Sequence, residues 1–565
     1  MIVRPSHPRA RAGLAFVGYL GISILMFGAR ALPHLGSRFI GEGSADSKLY
    51  VWDLGWWPHA ILSGLNPFHA GVVWAPSGAN MAWVTGLPGP ALLMFPVTRL
   101  FGGVVASNVL AILAPALAAW AAFLLCQEVT ASRWPSLVGG YLFGFSTYEI
   151  AQMHGHVNLF LMFPVPLAAY LFVRFARGRL SRRRFTWLFA LVLVAEFSIS
   201  TEVFATMTFF GTIALAGALV FDPTLRARTR ELLVPVGLAY ALAAIPLAPY
   251  LWYATSNVPP ALSHGIGGTS VDLLSFVVPR TGTLIGGSRL DGLTDAFRAN
   301  VSEDGAYLTP VLLIVLAIAA VQGWRDHATR LLFAFTGLAG LFALGGFLVV
   351  RGHRTIYLPW RLFERIPVLR DALPERFTMF MWLGIAVIVA RWLAGLTPAI
   401  GWRVAAPWAA VGVAAVLLLP NLSLPNLYRP VLVPPFFATG EFRGYLSPGE
   451  TIMIIHALKD DGDEMLWQER SGFAFKMPQG HTGPDPAAFA NDPVWQNLRS
   501  GQPFGVTAGQ LHAWLAAHGV GAVVISTDIA HRWRLLMTQV TGSDPHPVGG
   551  IVLYTMQPGS SGSET

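Results

Sequence analysis

Residues 42–68 read EGSADSKLYVWDLGWWPHAILSGLNPF, with Glu42, Asp46, Asp53 and His59 set among Trp52, Trp56 and Trp57, and with Trp74 following. Indole rings favour the boundary between lipid and water, so this stretch reads as a loop held at a membrane surface. From Lys48 to Leu65, the spacing of Tyr50, Trp57, Ile61 and Leu65 predicts a helix with an apolar stripe lying along the membrane. Asp46 then stands at its N-terminal edge, facing the membrane domain. GLNPF at 64–68 and APSGAN at 75–80 are turn sequences, so the loop is expected to be ordered.

Outward from this loop the chain is apolar. Charged residues are 12% of the 565 and hydrophobic residues 54%, with a mean hydropathy of +0.54; a soluble domain carries roughly 25% charged residues. About 20 apolar residues span the hydrocarbon core. Eleven runs are expected to cross: 12–32, 103–126, 134–151, 157–173, 185–199, 203–221, 232–253, 307–322, 331–350, 377–396 and 404–420. Arg4, Arg9 and Arg11 precede the first run, which is long enough to be expected as an anchor and not a cleaved signal. The net charge of +8 resides in short arginine patches between runs, a topology pattern and not a nucleic-acid surface. Cys126 is the single cysteine, which excludes an intrachain disulfide and a cysteine-built metal site.

Cytoplasmic loops accumulate Lys and Arg. With the N-terminus inside, Arg174 to Arg184, Arg226 to Arg230, and Arg325 with Arg330 all fall inside, provided that Pro90 to Phe101 does not cross. That segment is expected as a juxtamembrane or re-entrant helix. The loops 33–102, 254–306 and 351–376, the turns at His154 and Glu202, and the tail from 421 then share the extracytoplasmic side of a multi-pass plasma-membrane protein.

The reading divides the chain into an all-α transmembrane domain (1–420), a Pro-rich linker (421–440) and a small extracytoplasmic α/β domain (441–565). In the last, Thr451–Ile455 and Gly521–Ile525 are strand-like, while Ala508–His518 and His531–Val540 have helical spacing. No internal repeat is visible, which weighs against an inverted-repeat transporter. The tail holds no catalytic constellation; Pro478 to Pro484, with Gln479 and His481, reads as a loop.

Several residues are candidates for chemistry. His154 and His156 flank Gly155; together with Asp46 they are the candidate ligands for a divalent cation, although paired histidines more often only hydrogen-bond in a turn. Glu202 stands between two apolar runs, where an ionisable group is either functional or a carboxylate at a helix start. Glu149 and Glu196 lie deeper, and neighbouring helices can satisfy them. The loop 351–376 carries Arg351, Arg354, Arg361, Arg365, Arg370 and Arg376, an excess on the side where topology does not call for arginine.

The succession Asp46, Trp52, Trp56, Trp57, GLNPF, APSGAN, Gly155–His156 and PERF at 374–377 resembles the bacterial GT-C membrane glycosyltransferases. The resemblance implies transfer of a sugar from a polyprenyl-phosphate carrier to an envelope glycan, lipid or protein acceptor outside the membrane. Many members carry an acid in the turn where this chain has His154 and His156, so no cofactor follows from the resemblance. Such transfer needs a carboxylate base for the acceptor hydroxyl and positive charge for the departing phosphate. Asp46 is the first candidate base and Asp53, seven residues on and on the same helix face, the second. His156, Glu202, Arg361, Arg370 and Arg376 are the candidate substrate contacts, since the guanidinium fork suits phosphate. The alternatives are a polytopic transporter or lipid flippase, and a noncatalytic scaffold.

Overall fold

The computed structural model describes residues 8–221, 223–256, 270–366, 369–396, 402–422, 427–458, 461–483 and 485–556. Each of the eleven apolar runs holds helix, but the runs are not uniform. Helix α1 (Pro8–Ser23) continues as a π turn to Gly28. After α2 (Ala45–Leu62), the two-residue strands β1 (His69–Ala70) and β2 (Ala79–Asn80), α3 (Pro88–Leu93) and α4 (Phe95–Phe101), helix α5 (Gly103–Thr130) runs through the centre of the bundle. The run 134–151 is broken: α6 (Arg133–Gly144) stops, and Ser146 accepts from the Glu149 amide to start α7 (Thr147–Gln152). Its 12 residues rise only about 18 Å, short of a ~30 Å hydrocarbon core. The next run is split between α8 (Val157–Phe160) and α9 (Pro164–Ala176).

Helices α10 (Arg182–Ile199), α11 (Thr201–Phe221), α12 (Pro223–Ser256), the short α13 (Asp291–Thr294), α14 (Pro310–Gly323) and α15 (His327–Ala343) follow. The end of the 331–350 run leaves the helix as β3 (Phe347–Val350), paired antiparallel with β4 (His353–Tyr357), before α16 (Thr378–Gly395) and α17 (Trp402–Leu417). Among the described residues six helical segments are long and apolar enough to cross a membrane: Ala10–Gly28, Gly103–Thr130, Val157–Ala176, Thr201–Phe221, Arg226–Ser256 and Pro374–Gly395. Pro310–Gly323, His327–Ala343 and Ala405–Leu417 are shorter apolar helices. This is an integral membrane protein, mostly helical.

Close packing in the bundle rests on small residues. A Cβ at Gly144 would lie 2.4 Å from the Ala119 amide, and one at Gly140 would lie 2.6 Å from the Ala119 carbonyl. Only glycine on α6 lets α5 approach this closely, as is usual where apolar side chains gain nothing by leaving lipid.

Helix α2 differs from the amphipathic surface helix expected. Its residues from Ser47 to Pro58 are buried on every side, and only its end, at Ile61 and Leu62, is exposed. It packs on α3, α4 and α5 and is covered by α19 (Asp463–Arg470) of the tail. A helix apolar all round is one buried all round. The segment 90–101 forms the short helices α3 and α4, whose Leu93, Leu100 and Phe101 are exposed.

The stretch expected as a linker is paired to the first loop. The Phe39 amide donates to the Arg429 carbonyl at 2.8 Å, the Gly41 amide to Leu427 at 2.9 Å, and the Val431 amide to Ser37 at 2.9 Å. Beyond α18 (Pro435–Ala438) the tail builds a four-stranded sheet in the order β5 (Thr451–Ile455), β6 (Val520–Ser526), β8 (Ile551–Thr555) and β7 (His546–Val548). Strands β5 and β6 are parallel, and the other pairs are antiparallel. Helices α19, α20 (Ala487–Ala490), α21 (Pro493–Ser500), α22 (Ala508–Ala517) and α23 (Ala530–Thr541) complete it. Its apolar interior is continuous with the side chains of α2, so tail and first loop share one core.

Candidate active site

Ser44 caps α2 by accepting from the Ser47 amide, which places Asp46 in the first turn, where a carboxylate is favoured by the helix dipole. Two fastenings hold this turn. Lys48 Nζ lies 2.6 Å from Asp463 Oδ1 and donates to the Asp461 carbonyl at 3.0 Å. The Trp52 indole donates to Gln468 Oε1 at 2.7 Å, and the Gln468 amide donates to the Val72 and Phe475 carbonyls at 2.9 Å.

The Asp46 side chain is 48% exposed and faces two imidazoles. His156 Nε2 lies 3.6 Å from Oδ2, and His481 Nε2, from the tail loop, lies 3.3 Å from Oδ1. Partial burial works against the charged carboxylate, but the hydrogen bonds and charges of His156 and His481 outweigh it and hold Asp46 well below the usual carboxylate range. The same pairing raises His481 above the ordinary imidazole value against the opposing effect of burial, with Asp461, 3.9 Å from its Nδ1, contributing.

Behind His156 a chain of charges runs into the bundle. His156 Nδ1 lies 2.7 Å from Gln152 Oε1 and 3.6 Å from Glu303 Oε1. The Gln152 amide donates to Glu303 Oε2 at 3.3 Å, which orients its oxygen toward the imidazole. Glu303 is buried and accepts from Arg376 Nε at 3.1 Å and Nη2 at 2.5 Å. Burial disfavours its charge, yet the Arg376 charge holds its carboxyl below the ordinary value. Arg376, in the PERF turn that opens α16, also donates to Glu202 in the first turn of α11. Asp46, His156, Glu303, Arg376 and Glu202 thus form one connected line, drawn from five separate parts of the chain.

Other candidates stand elsewhere. Asp53 is fully buried two turns along α2, where it accepts from the Trp57 indole at 3.0 Å and the Leu87 amide at 2.5 Å; burial pushes it up to about 7. It fastens α2 to the start of α3 and makes no contact with the Asp46 group. His154 is buried with Nδ1 2.9 Å from Glu42, so the two imidazoles of the His154–His156 pair serve different carboxylates. Arg361 lies over the Tyr357 ring at 3.8 Å, and Arg370 is exposed beside Asp371 at 3.4 Å; neither contacts Asp46. Glu149 and Glu196 are fully buried, and their carboxyl oxygens have no hydrogen-bond partner among the described residues.

A divalent cation at this site would need several donors converging on one point. Among the described residues no group of three His, Cys, Asp or Glu side chains is placed to hold one. His154 turns away to Glu42, and Glu303 is engaged by Arg376. As placed, the described side chains therefore do not converge on a single cation position.

Residues Glu303, Gln152 and His481 were not among the sequence candidates. Glu303 is a loop acid beside Asp304, with no periodicity to mark it. His481 lies 435 positions from Asp46.

The architecture is shared with two solved membrane glycosyltransferases of the GT-C superfamily. The arabinofuranosyltransferase AftD from Mycobacteria aligns with a TM-score of 0.55 at 16% identity over 98% of this chain and 40% of that one. The Archaeoglobus fulgidus oligosaccharyltransferase, solved in complex with Zn and sulfate, aligns with a TM-score of 0.51 at 13% identity over 94% of this chain and 70% of that one. The chain therefore spans about two fifths of the arabinofuranosyltransferase. No curated protein matches the sequence. The fold is that of the GT-C superfamily. Residues 15–419 match the family described as domain of unknown function DUF6311, and with most of its length covered the chain belongs to that family.

Proposed function

We propose that the protein transfers a sugar from a polyprenyl-phosphate carrier to an acceptor at the extracytoplasmic face, with eleven crossings, a cytoplasmic N-terminus and Asp46 as base. The observation that carries this reading is the convergence on Asp46 of two imidazoles and, through Glu303, of Arg376. Asp46 takes the proton of an acceptor hydroxyl as the oxygen forms its bond to the anomeric carbon. The bond from that carbon to the phosphate oxygen breaks, and its electron pair leaves with the polyprenyl phosphate. Held ionised, Asp46 is free of its own proton across the neutral range, while the same stabilisation lowers its intrinsic basicity, so the transfer relies on Asp46 being placed against the acceptor hydroxyl.

Arg376 gives three of its N–H groups to Glu202 and Glu303, and a guanidinium has five, so two remain for a phosphate oxygen. Exposed Leu93, Leu100 and Phe101 on α3 and α4 offer an apolar surface beside the first loop for a lipid carrier.

Purified protein in nanodiscs, given radiolabelled polyprenyl-phosphate sugars and a membrane glycan extract, tests the reading. Asp46→Asn is expected to lower transfer by about a hundredfold or more, the range of a general base, with carrier binding unchanged. Full transfer by that variant would refute the base. Uptake of labelled solute into proteoliposomes without any transfer product would favour a transporter instead.

A further inference from the structure

Of the arginines in the loop 351–376, only Arg376 takes part in the line of charges behind Asp46. Residues 351–366 carry Arg351, Arg354, Arg361 and Arg365 against the single acid Glu364, and they fold as one surface element. Its tip is the two-residue connection from β3 to β4, Arg351–Gly352, with φ of 51° and 76°. A hairpin turn with both central residues in the left-handed region favours asparagine and glycine. An arginine is held there at a cost, and such strain points to a role for its side chain. The turn is fixed from both sides: the Gly352 amide donates to Asp272 Oδ2 at 2.8 Å, and Arg298 Nε donates to the Gly352 carbonyl at 2.9 Å. At the other end Trp360 is buried, its ring 5.5 Å from Phe342 of α15 and 4.5 Å from Phe377, the neighbour of Arg376. The element follows α15 and precedes the apolar span Pro374–Gly395, so it stands where the bundle leaves the membrane, at the end that carries Arg376.

What it presents outward is basic and apolar together. All five residues of β4 are exposed, Ile356 and Tyr357 by 60% and 66%, and Leu362 of the following turn is 71% exposed. The Arg361 guanidinium lies 3.8 Å from the centre of the Tyr357 ring and 5.1 Å from that of Phe347, over which Arg354 also lies, at 5.1 Å. Such contact holds a guanidinium by its face and leaves the N–H groups in its plane for an acceptor. Among the described residues Arg361 makes no hydrogen bond or ion pair.

Three partners can be weighed against this surface. A second chain adding a strand to β4 meets arginine at the edge, the charge placement by which edge strands resist pairing. A soluble anion leaves Ile356, Tyr357 and Leu362 in water. A lipid headgroup layer meets every demand: its phosphates accept from the guanidinium forks, its water hydrates the open edge of β4, and the acyl boundary below takes the apolar side chains.

We infer that the β3–β4 hairpin and the turn 359–365 form a docking surface for phospholipid headgroups of the leaflet on the Arg376 side. Arg351, Arg354 and Arg361 engage lipid phosphates, and Ile356, Tyr357 and Leu362 enter the acyl boundary. Through the packing of Trp360 on Phe377, the docked hairpin sets the depth of the Arg376 turn in the headgroup layer. This holds whether or not the chain transfers a sugar.

Spin labelling of the full-length protein in nanodiscs tests the inference. Cys126 is buried, so a nitroxide attached through Ile356→Cys reports on the hairpin. Lipid shelters such a label from a water-soluble nickel chelate but admits oxygen, whereas a covering protein segment excludes both. In phosphatidylglycerol the label is expected about 5–10 Å into the headgroup and acyl boundary; in a digalactosyl lipid, which has no phosphate, it is expected to stand open to the chelate. Arg354→Gln combined with Arg361→Gln is expected to raise chelate access in phosphatidylglycerol several-fold, and Arg361→Lys to raise it less than Arg361→Gln. Arg351→Gly relaxes the turn, so it is expected to keep the thermal midpoint while raising chelate access. The inference is overturned if the label is open to the chelate in phosphatidylglycerol, if it is equally sheltered in the phosphate-free lipid, or if the arginine variants leave its depth unchanged. Exclusion of oxygen as well would make the occupant protein, and release of the label by inorganic phosphate would make the site one for a free anion; either result also overturns it.

Discussion

Replacing His481 by glutamine separates a tuned base from a passive carboxylate. The imidazole lies 3.3 Å from Asp46 Oδ1. A unit charge pair at that distance is worth about 5 kcal/mol at an effective dielectric constant near 20, and about 1.3 kcal/mol in water. The Asp46 side chain is nearly half exposed, so the aqueous end of that range applies. At about 1.4 kcal/mol per unit, losing the pair raises the Asp46 carboxyl by roughly one pH unit. His156 stays in place at 3.6 Å, so the carboxyl remains stabilised from its other side. Glutamine keeps a hydrogen-bonding tip, so the loop retains an anchor. In a carbon-13 NMR titration of the Asp46 carboxyl toward acid, the protonated fraction at a given low pH is expected to be several-fold higher in His481→Gln than in the wild type. Equal fractions in the two folded proteins would refute the electrostatic role given to His481.

Three further outcomes are expected. Gln468→Leu keeps volume but strands the Trp52 indole and the Val72 and Phe475 carbonyls; at about 1–2 kcal/mol each, the loss is about 3–6 kcal/mol, read as a markedly lower thermal midpoint, and an unchanged midpoint would contradict the joint between α2 and α19. His456, buried against Glu464 at 2.7 Å, is raised to about 9 because the hydrogen bond and charge of Glu464 outweigh its burial. That stability is fully present below about pH 6.5 and is lost as pH rises through about 9, a change of roughly 3 kcal/mol; His456→Gln should flatten the thermal midpoint across that window, and an equal slope in both proteins would count against the pair. Asp53→Asn can accept from only one of the Trp57 and Leu87 donors, so unfolding is expected to become easier by about 1–3 kcal/mol while transfer persists; loss of transfer without loss of stability would return Asp53 to the reacting centre.

The helical framework was legible because lipid enforces a simple rule: long apolar runs become helices. Where the rule failed, a local signal had been overridden. The run 134–151 carries Ser146 and Thr147, and the cap at Ser146 breaks it. Helix α2 was read as half exposed because the tail that covers its upper face lies more than 400 residues away. Asp46, His156, Glu202 and Arg376 were legible as charges in loops that charge placement brings to one face. Glu303 was not, since Asp291, Asp295 and Glu303 look alike in the same loop and only the approach of Arg376 distinguishes one of them. Asp53 shares a helix face with Asp46, but two turns of rise separate them, and periodicity alone does not measure that distance.

The bond from Trp52 to Gln468 spans 416 positions, and this has a consequence for how the protein is made. At translation rates of about 5–20 residues per second, α2 waits roughly 20–80 s for its covering helix to emerge. Throughout that interval Trp52, Trp56 and the Asp46 turn have no roof, although the bundle helices beneath them are already in the membrane. The surroundings of Asp46 are therefore among the last parts of the molecule to be completed, because Lys48, Trp52 and Asp46 find their partners only in α19 and the His481 loop. Chain length synthesised, and not insertion of the bundle, sets when this turn is closed over.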